Sequence, residues 1–434
     1  MSFAAIGLWG IVALLGIIFC FRIPVGFAMA LIGFLGFWKV LNFDAALGLL
    51  GSEAWTVFSS YGLTVIPLFI FMGQICFYSG VNERLYKAAY AWMGAMRGGL
   101  AIATTLACAG FAAICGSNTA TAATMSTIAL PQMKKYGYHP SLSTGSVAVG
   151  ATLGVVIPPS VVLIIIGLQT GISIAKLFWA AFLPGALLVL LFVGTVVAYC
   201  MKYPDRGPAG PKTTMKEKLA SLSGSVEMLL LFALVMGGLL AGFFTPSEAG
   251  AAGSAIALMI SVVGRHLTWK KLFNAINDTL RISCMILTII YGAVVFGRFL
   301  TITRLPYEIA QFVGGLSVHP LLVMAVICII YVIGGAVMDA LALLIITIPI
   351  FFPVAEALGY DPVWFSVFVT IVTTLGAVTP PVGVNTFIVA SMADGVTLPQ
   401  VFKGVAIFIP AFILCLFCML LMPELALYLP EMIR

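Results

Sequence analysis

The chain has 434 residues, of which 62% are hydrophobic and only 8% charged, and it carries a formal net charge of +6. Too few charges remain to cover a soluble domain, and the basic excess is scattered over short loops, which excludes nucleic-acid binding and fits the positive-inside bias of a membrane protein. At roughly 20 apolar residues per crossing, the length allows about ten membrane helices, so the expected fold is an all-α, multi-pass integral membrane protein.

Taken in chain order, helices are expected at about 3–21, 24–41 and 61–79, with a loop over 42–60. The opening Met1-Ser-Phe-Ala-Ala-Ile lacks the basic segment of a signal peptide, so the first helix starts there. An amphipathic stretch follows at Val81–Gly98, with Glu83, Arg84, Lys87 and Arg97. Residues 98–133 carry no charge, and their centre is Cys115-Gly-Ser-Asn-Thr119, residue types that favour caps and turns over helix centres. Each flank is too short to span a bilayer comfortably, which predicts a re-entrant hairpin. A helix over 141–168, interrupted at Gly154–Pro159, and a helix over 177–201 complete the first half.

A polar linker over 202–224 holds Lys202, Arg206, Lys212, Lys216 and Lys218. Beyond it, helices are expected at about 225–243, 248–264 and 282–301, with short amphipathic helices at 268–280 and 304–313. A second hairpin spans 319–353 with its tip at Gly334-Gly-Ala-Val-Met-Asp339. A broken helix over 363–392, interrupted at Gly376–Pro381, and a last helix over 404–429 close the chain.

These halves match at one offset of 222 positions. Gly154-Val-Val-Ile-Pro-Pro159 returns as Gly376-Ala-Val-Thr-Pro-Pro381, and Gly137-Tyr-His-Pro140 as Gly359-Tyr-Asp-Pro362. Pro131 returns as Pro353, and Phe21 and Pro24 as Phe243 and Pro246. Chance matches would scatter in offset, so 1–201 and 225–434 read as two copies of one unit. Five crossings per unit is an odd number, which predicts an inverted repeat. The loop after the first hairpin carries Lys134 and Lys135, whereas its counterpart carries Glu356 and Asp361. By the positive-inside rule, the first loop and the linker are cytoplasmic, and the 42–60 loop and both termini are external. Inverted units with helix breaks at their centres point to a secondary transporter with two re-entrant hairpins and two broken helices.

Backbone groups freed at a break must line a polar cavity or be buried in protein. Pro158 and Pro380 lack the N–H that the carbonyls of Gly154 and Gly376 would otherwise engage. Such carbonyls are hard oxygen ligands for a small cation, while half-helix N-termini attract anions. One cation site is therefore expected from Gly116, Ser117, Asn118 and Thr119 against Gly154, Val155 and Pro158. A second is expected from Gly334, Gly335, Met338 and Asp339 against Gly376, Ala377, Thr379 and Pro380. The alternative, back-bonded Ser and Thr with glycines serving only close packing, is outweighed by the matched breaks. Asp339 is the only acidic residue between Glu308 and Glu356. An ionised carboxylate at bilayer depth costs at least ~2.5–3.5 kcal/mol on insertion scales, so a functional role is expected. Capping of the second hairpin arm is compatible with that role. The substrate-binding candidates are Ser117, Asn118, Asp339 and Asn385. The histidines, His139, His266 and His319, are isolated, and Cys415 and Cys418 sit in an apolar helix, so neither a metal cluster nor a nucleophile–base pair suggests an enzyme.

Ile66-Pro-Leu-Phe-Ile-Phe-Met-Gly73, Gly150-Ala-Thr-Leu-Gly-Val-Val-Ile-Pro-Pro159, Val337-Met-Asp-Ala340 and Thr379-Pro-Pro-Val-Gly-Val-Asn385 together resemble the large membrane subunit of tripartite ATP-independent periplasmic (TRAP) transporters, the DctM-like family, over essentially the whole chain. Ser117-Asn-Thr119 also resembles the sodium-binding hairpin motif of divalent-anion/sodium symporters. The resemblance implies an elevator-type transporter of the bacterial inner membrane, with sodium as coupling ion at both tips. It implies a separate small four-helix membrane subunit, a periplasmic substrate-binding protein, and an organic-acid cargo such as a C4-dicarboxylate, a sialic acid or another sugar acid. A stand-alone sodium/anion symporter of the same fold is the alternative.

Overall fold

The computed structural model describes residues 3–21, 23–210, 213–315 and 319–432, and every regular element among them is helical. Met1, Ser2 and Lys212 lie outside the described residues. The first half holds α1 (Phe3–Phe21), α2 (Val25–Val40), α3 (Phe43–Phe58), α4 (Val65–Tyr78), α5 (Val81–Met93), α6 (Gly99–Cys115), α7 (Asn118–Lys135), α8 (Pro140–Val156), α9 (Val161–Thr170) and α10 (Ile174–Lys202). The second holds α11 (Met215–Leu240), α12 (Pro246–Val263), α13 (Trp269–Ile302), α14 (Leu305–Gly315), α15 (Pro320–Val337), α16 (Ala340–Ala357), α17 (Pro362–Gly376), α18 (Val384–Met392), α19 (Leu398–Ala406), α20 (Ile409–Leu421) and α21 (Glu424–Met432). Among the described residues, eight helical stretches are long and apolar enough to cross a membrane, or up to ten if each bent pair is one span.

Four expectations are corrected by these boundaries. Residues 43–58, expected within a loop, form α3, because Asn42 Oδ1 accepts the Ala45 N–H at 2.8 Å and starts a helix. The separate helices expected at 268–280 and 282–301 are one helix, α13. No Gly or Pro separates them, and Asp278 is accommodated by the Tyr78 hydroxyl, which donates to it at 2.5 Å. The linker narrows to 203–214, since Thr214 and Glu217 form a capping box that opens α11 at Met215. Lys216 and Lys218 thus belong to α11. The single helix expected over 404–429 divides into part of α19, α20 and α21, with Pro410 in the first turn of α20 and Pro423 just before α21.

Two groups of helices frame the molecule. In the first, α2 and α4 pack along α13, α12 packs on α4, and α11 on α5. The α2–α13 contact is backbone against backbone: a Cβ on Gly292 would stand 2.0 Å from the Gly26 carbonyl oxygen. The second group is α6–α9 with α15–α18. Here the pieces cross between halves, with α9 on α16 and α18 on α7 and α8. The 18-residue apolar window within Pro140–Thr170 is 94% buried, whereas that within Phe3–Phe21 is 17% buried. The α8–α9 segment is therefore central, and α1 presents Leu8, Trp9, Val12 and Phe19 outward, as a lipid-facing helix does.

Candidate functional site

The first tip is built by a left-handed residue and a cap. Gly116 ends α6 at φ +61°, and Ser117 starts α7 by accepting the Ala120 N–H at 3.4 Å. The Ser117 and Thr119 hydroxyls lie 3.2 Å apart. Asn118 Oδ1 accepts the Thr119 N–H at 2.9 Å, while its Nδ2 is buried with no protein partner among the described residues. The tip rests on the last turn of α8. A Cβ on Gly154 would stand 2.6 Å from the Ser117 oxygen and 3.0 Å from the Asn118 nitrogen, so only glycine fits. A Cβ on Gly116 would meet the Pro159 oxygen at 3.0 Å. The structure thus brings Gly116, Ser117 and Asn118 against the Gly154–Pro159 break. The Val155 carbonyl is already engaged by the Ser160 hydroxyl at 2.7 Å.

At the second tip, Met338 N–H donates to the Gly334 oxygen at 2.8 Å, and Asp339 caps α16 by accepting the Leu341 N–H at 3.1 Å. Gly335 and Gly376 meet face to face: a Cβ on Gly376 would stand 2.7 Å from the Val332 oxygen and 2.8 Å from Gly335 Cα. Gly334 instead faces Leu343 inside the hairpin. The break is stitched to the tip by the Gly383 N–H, which donates to the Ala336 oxygen at 2.8 Å. The Asn385 N–H donates to the Ala377 oxygen at 3.1 Å. The Thr379 hydroxyl donates to the Leu375 oxygen at 2.6 Å, so its hydrogen is spent within its own segment. Asn385 is fully buried, and neither amide atom of its side chain has a partner among the described residues. Both Pro158–Pro159 and Pro380–Pro381 are cis.

One cavity of about 380 Å³ joins the two tips. Ser117, Asn118 and Thr119 line it from the first hairpin, Asp339 and Leu341 from the second, and Val161 and Val162 from α9. The opposite wall is Ile70 and Gln74 of α4 with Ile282, Met285, Ile286 and Ile289 of α13. Gly376, Ala377, Thr379, Pro380 and Asn385 do not line it. The residues expected as the second set therefore divide, with Asp339 at the shared cavity and Gly335 at the break. Asp339 also lines a second space of about 850 Å³ next to Ile23, Pro24 and Met285. Among the described residues, no Lys, Arg or His lines either cavity, and none pairs with Asp339.

Gln74 was not among the expected site residues. Its only signal is a lone amide in the apolar run Ile66–Tyr78, directly after Gly73. At the far end of the broken helix, outside the span, His139 caps α8 by accepting the Ser141 N–H at 3.3 Å through Nδ1. Burial and then the nearby Arg206 guanidinium hold this imidazole below its usual pKa range, which keeps the accepting neutral form.

The family model described as "Tripartite ATP-independent periplasmic transporter, DctM component" matches residues 11–425. A relative from Pseudomonas aeruginosa, "C4-dicarboxylate TRAP transporter large permease protein DctM", is 34% identical over 372 residues, covering 86% of each chain. "Isethionate TRAP transporter permease protein DctMQ" of Oleidesulfovibrio alaskensis is 32% identical over 342 residues, 79% of this chain and 54% of that longer protein. The crystal structure of the Alcanivorax borkumensis YdaH transporter shares the fold with a TM-score of 0.60 at 14% identity, covering 90% of this chain and 89% of that one. The chain belongs to the DctM family, the large membrane permease component of tripartite ATP-independent periplasmic transporters.

Proposed function

We propose that the chain is the large permease of a sodium-gradient-driven importer in the bacterial inner membrane, moving an organic acid handed over by a periplasmic binding protein. The observation that carries this reading is the single cavity between the two hairpin tips and the α4–α13 wall. Sodium at the first tip is held by hydroxyl and carbonyl oxygens of Gly116–Thr119 with Gly154–Pro158. At the second, Asp339 supplies a charge, with carbonyls of the Gly334–Met338 turn and the Gly376–Pro380 break as neighbours. The substrate's carboxylate sits at the N-terminus of α7, where the helix dipole favours an anion.

Support for an elevator comes from the packing. The hairpins and broken helices interlock across the halves, whereas α2, α4, α12 and α13 stack on one another, and the cavity lies where the two groups face each other. The repeat is supported by helix bounds that follow the 222-residue offset: α15 and α16 repeat α6 and α7 almost residue for residue. A small membrane subunit as partner is supported by the longer relative whose name joins M and Q.

The test is uptake into proteoliposomes that contain this chain with its small subunit, measured with and without an inward sodium gradient and with and without the binding protein. Uptake requiring both is expected. Uptake that needs sodium but ignores the binding protein would establish a stand-alone symporter, and sodium-independent uptake would remove both tips as sodium sites.

A further inference from the structure

Two of the segments that carry the chain from one helix group to the other are hydrogen-bonded to each other. One is 94–98, between α5 and α6, and the other is 207–210, within the connection from α10 to α11. The Gly98 N–H donates to the Gly207 oxygen and the Gly210 N–H to the Gly94 oxygen, both at 2.8 Å. The segments therefore run antiparallel, with one rung at each end.

The two rungs are fastened to different helices. At the Gly94–Gly210 end, the Thr213 hydroxyl donates to the Ala91 oxygen at 2.5 Å, and Trp92 Nε1 donates to the Lys218 oxygen at 3.2 Å. An ion pair of 2.7 Å between Arg84 and Glu227 continues this seam between α5 and α11. At the Gly98–Gly207 end, the His139 N–H at the start of α8 donates to the Arg206 oxygen at 3.0 Å. Gly207 is buried there between Cys200 of α10 and Leu142 of α8. Helix α10 packs on α6, α8, α9 and α17, and so belongs with the second group.

The rungs are rigid and the residues between them are not enclosed. Gly98 has φ +73°, and a Cβ on it would stand 2.7 Å from Cys200 Sγ. A Cβ on Gly207 would stand 2.6 Å from the same sulfur, and one on Gly210 would stand 2.8 Å from the Gly94 oxygen. Gly94, Gly98 and Gly207 are buried, whereas Met96, Arg97 and Ala209 are exposed and outside regular helix. A change of φ and ψ between the rungs thus uncovers no core, which is what a hinge requires.

We infer that 94–98 and 207–210 form one paired hinge, about which α6, α8 and α10 move against α5 and α11. The inference rests on the elevator reading above and deepens it. Because the rungs tie both ends, neither segment bends without the other, and the connection between the halves is a working part of the cycle rather than a spacer.

The experiment measures sodium-driven uptake by the large–small subunit complex in proteoliposomes with the binding protein, beside the thermal shift that sodium alone gives the same complex. Two glycines inserted between Pro208 and Ala209 lengthen one segment and leave every rung residue in place. A surface spacer tolerates such an insertion. In a paired hinge, turnover should fall about tenfold, the scale of one lost hydrogen bond, with half-saturating sodium for the thermal shift unchanged. Gly207→Ala opens one rung instead and should also lose turnover. Adding Cys200→Ala removes the sulfur that the new methyl strikes and should restore most of it. Native turnover in the insertion variant would overturn the inference and leave the transport reading intact. Lost turnover accompanied by a weakened sodium response would show that the segments only brace the tips, and would overturn it too. If the insertion variant loses the sodium shift altogether, the Gly207→Ala pair decides, and failure of Cys200→Ala to restore turnover overturns the inference. A native complex without sodium-driven uptake would overturn the transport reading and the hinge with it.

Discussion

The two hairpin tips occupy the same place in their halves, 222 positions apart, and carry opposite chemistry. Ser117 caps α7 with a neutral hydroxyl, and Asp339 caps α16 with a carboxylate. Ser and Asp are equally good N-caps, so the difference is not a requirement of the helix. It leaves one helix end with a neutral cap and puts a carboxylate on the other. The surroundings differ as well. In the first hairpin, α6 is covered by α5 and is buried almost throughout. In the second, α14 packs on α16 instead, and α15 turns Leu322, Val326, Ile329 and Ile333 outward. The two hairpins thus share a backbone plan while their chemistry and their covering differ.

The sharpest way to break this picture is at the glycines that both tips share. Gly154→Val and Gly376→Val each drive a side chain into the opposing tip backbone, which cannot retreat. Uptake should fall about a hundredfold or more in both, the scale of an ångström-level misplacement at a binding site. Retained uptake in either would show that the tip does not need to seat there. Next come exchanges of the caps. Asp339→Ser keeps a cap and removes the charge, so the thermal transition should hold while half-saturating sodium rises about tenfold, as for one lost charged contact. An unchanged sodium curve would remove Asp339 from the cation site. Ser117→Asp is the reverse exchange. It should keep stability but raise the KM for the organic acid roughly fivefold, as about 1 kcal/mol of repulsion in a wet cavity would.

The smallest effect is expected at His139. Because its folded imidazole is held below the usual range, the unfolded chain binds more protons there as pH falls below about 6.5. The stability of the native chain therefore declines across that window, and His139→Asn, which keeps a capping oxygen, should flatten the decline. Thermal transitions at pH 7.5 and 5.5 measure it.

Much of this was legible in the sequence because the informative residues are helix breakers. Gly116, Ser117, Pro158 and Pro380 punctuate apolar runs, and their spacing places the tips and the breaks within a few residues. Less came through where the signal is weak or distributed. Helix α3 was read as loop because Asp44, Glu53 and its glycines lower the apparent hydrophobicity, yet Glu53 is buried and accepts from Arg298 Nε at 2.7 Å. The boundary expected between 280 and 282 does not exist, because Asp278 and Arg281, charges within a long helix, do not end it. Gln74 stood as one amide without a pattern. The division of the second expected site, with Asp339 at the cavity and Gly376 against Gly335, depends on how two distant segments dock, which no local pattern encodes.

The crossed packing of α9 on α16 and of α18 on α7 bears on whether this chain can be divided. Each half supplies the cover for an apolar helix of the other, so a fragment ending near the 203–214 connection is left with an uncovered face inside the bilayer. Two such fragments made together can each restore the other's cover, whereas either made alone keeps its bare face. Losing a half thus uncovers the other, which makes the pair of halves, rather than either one, the smallest packed module of this permease.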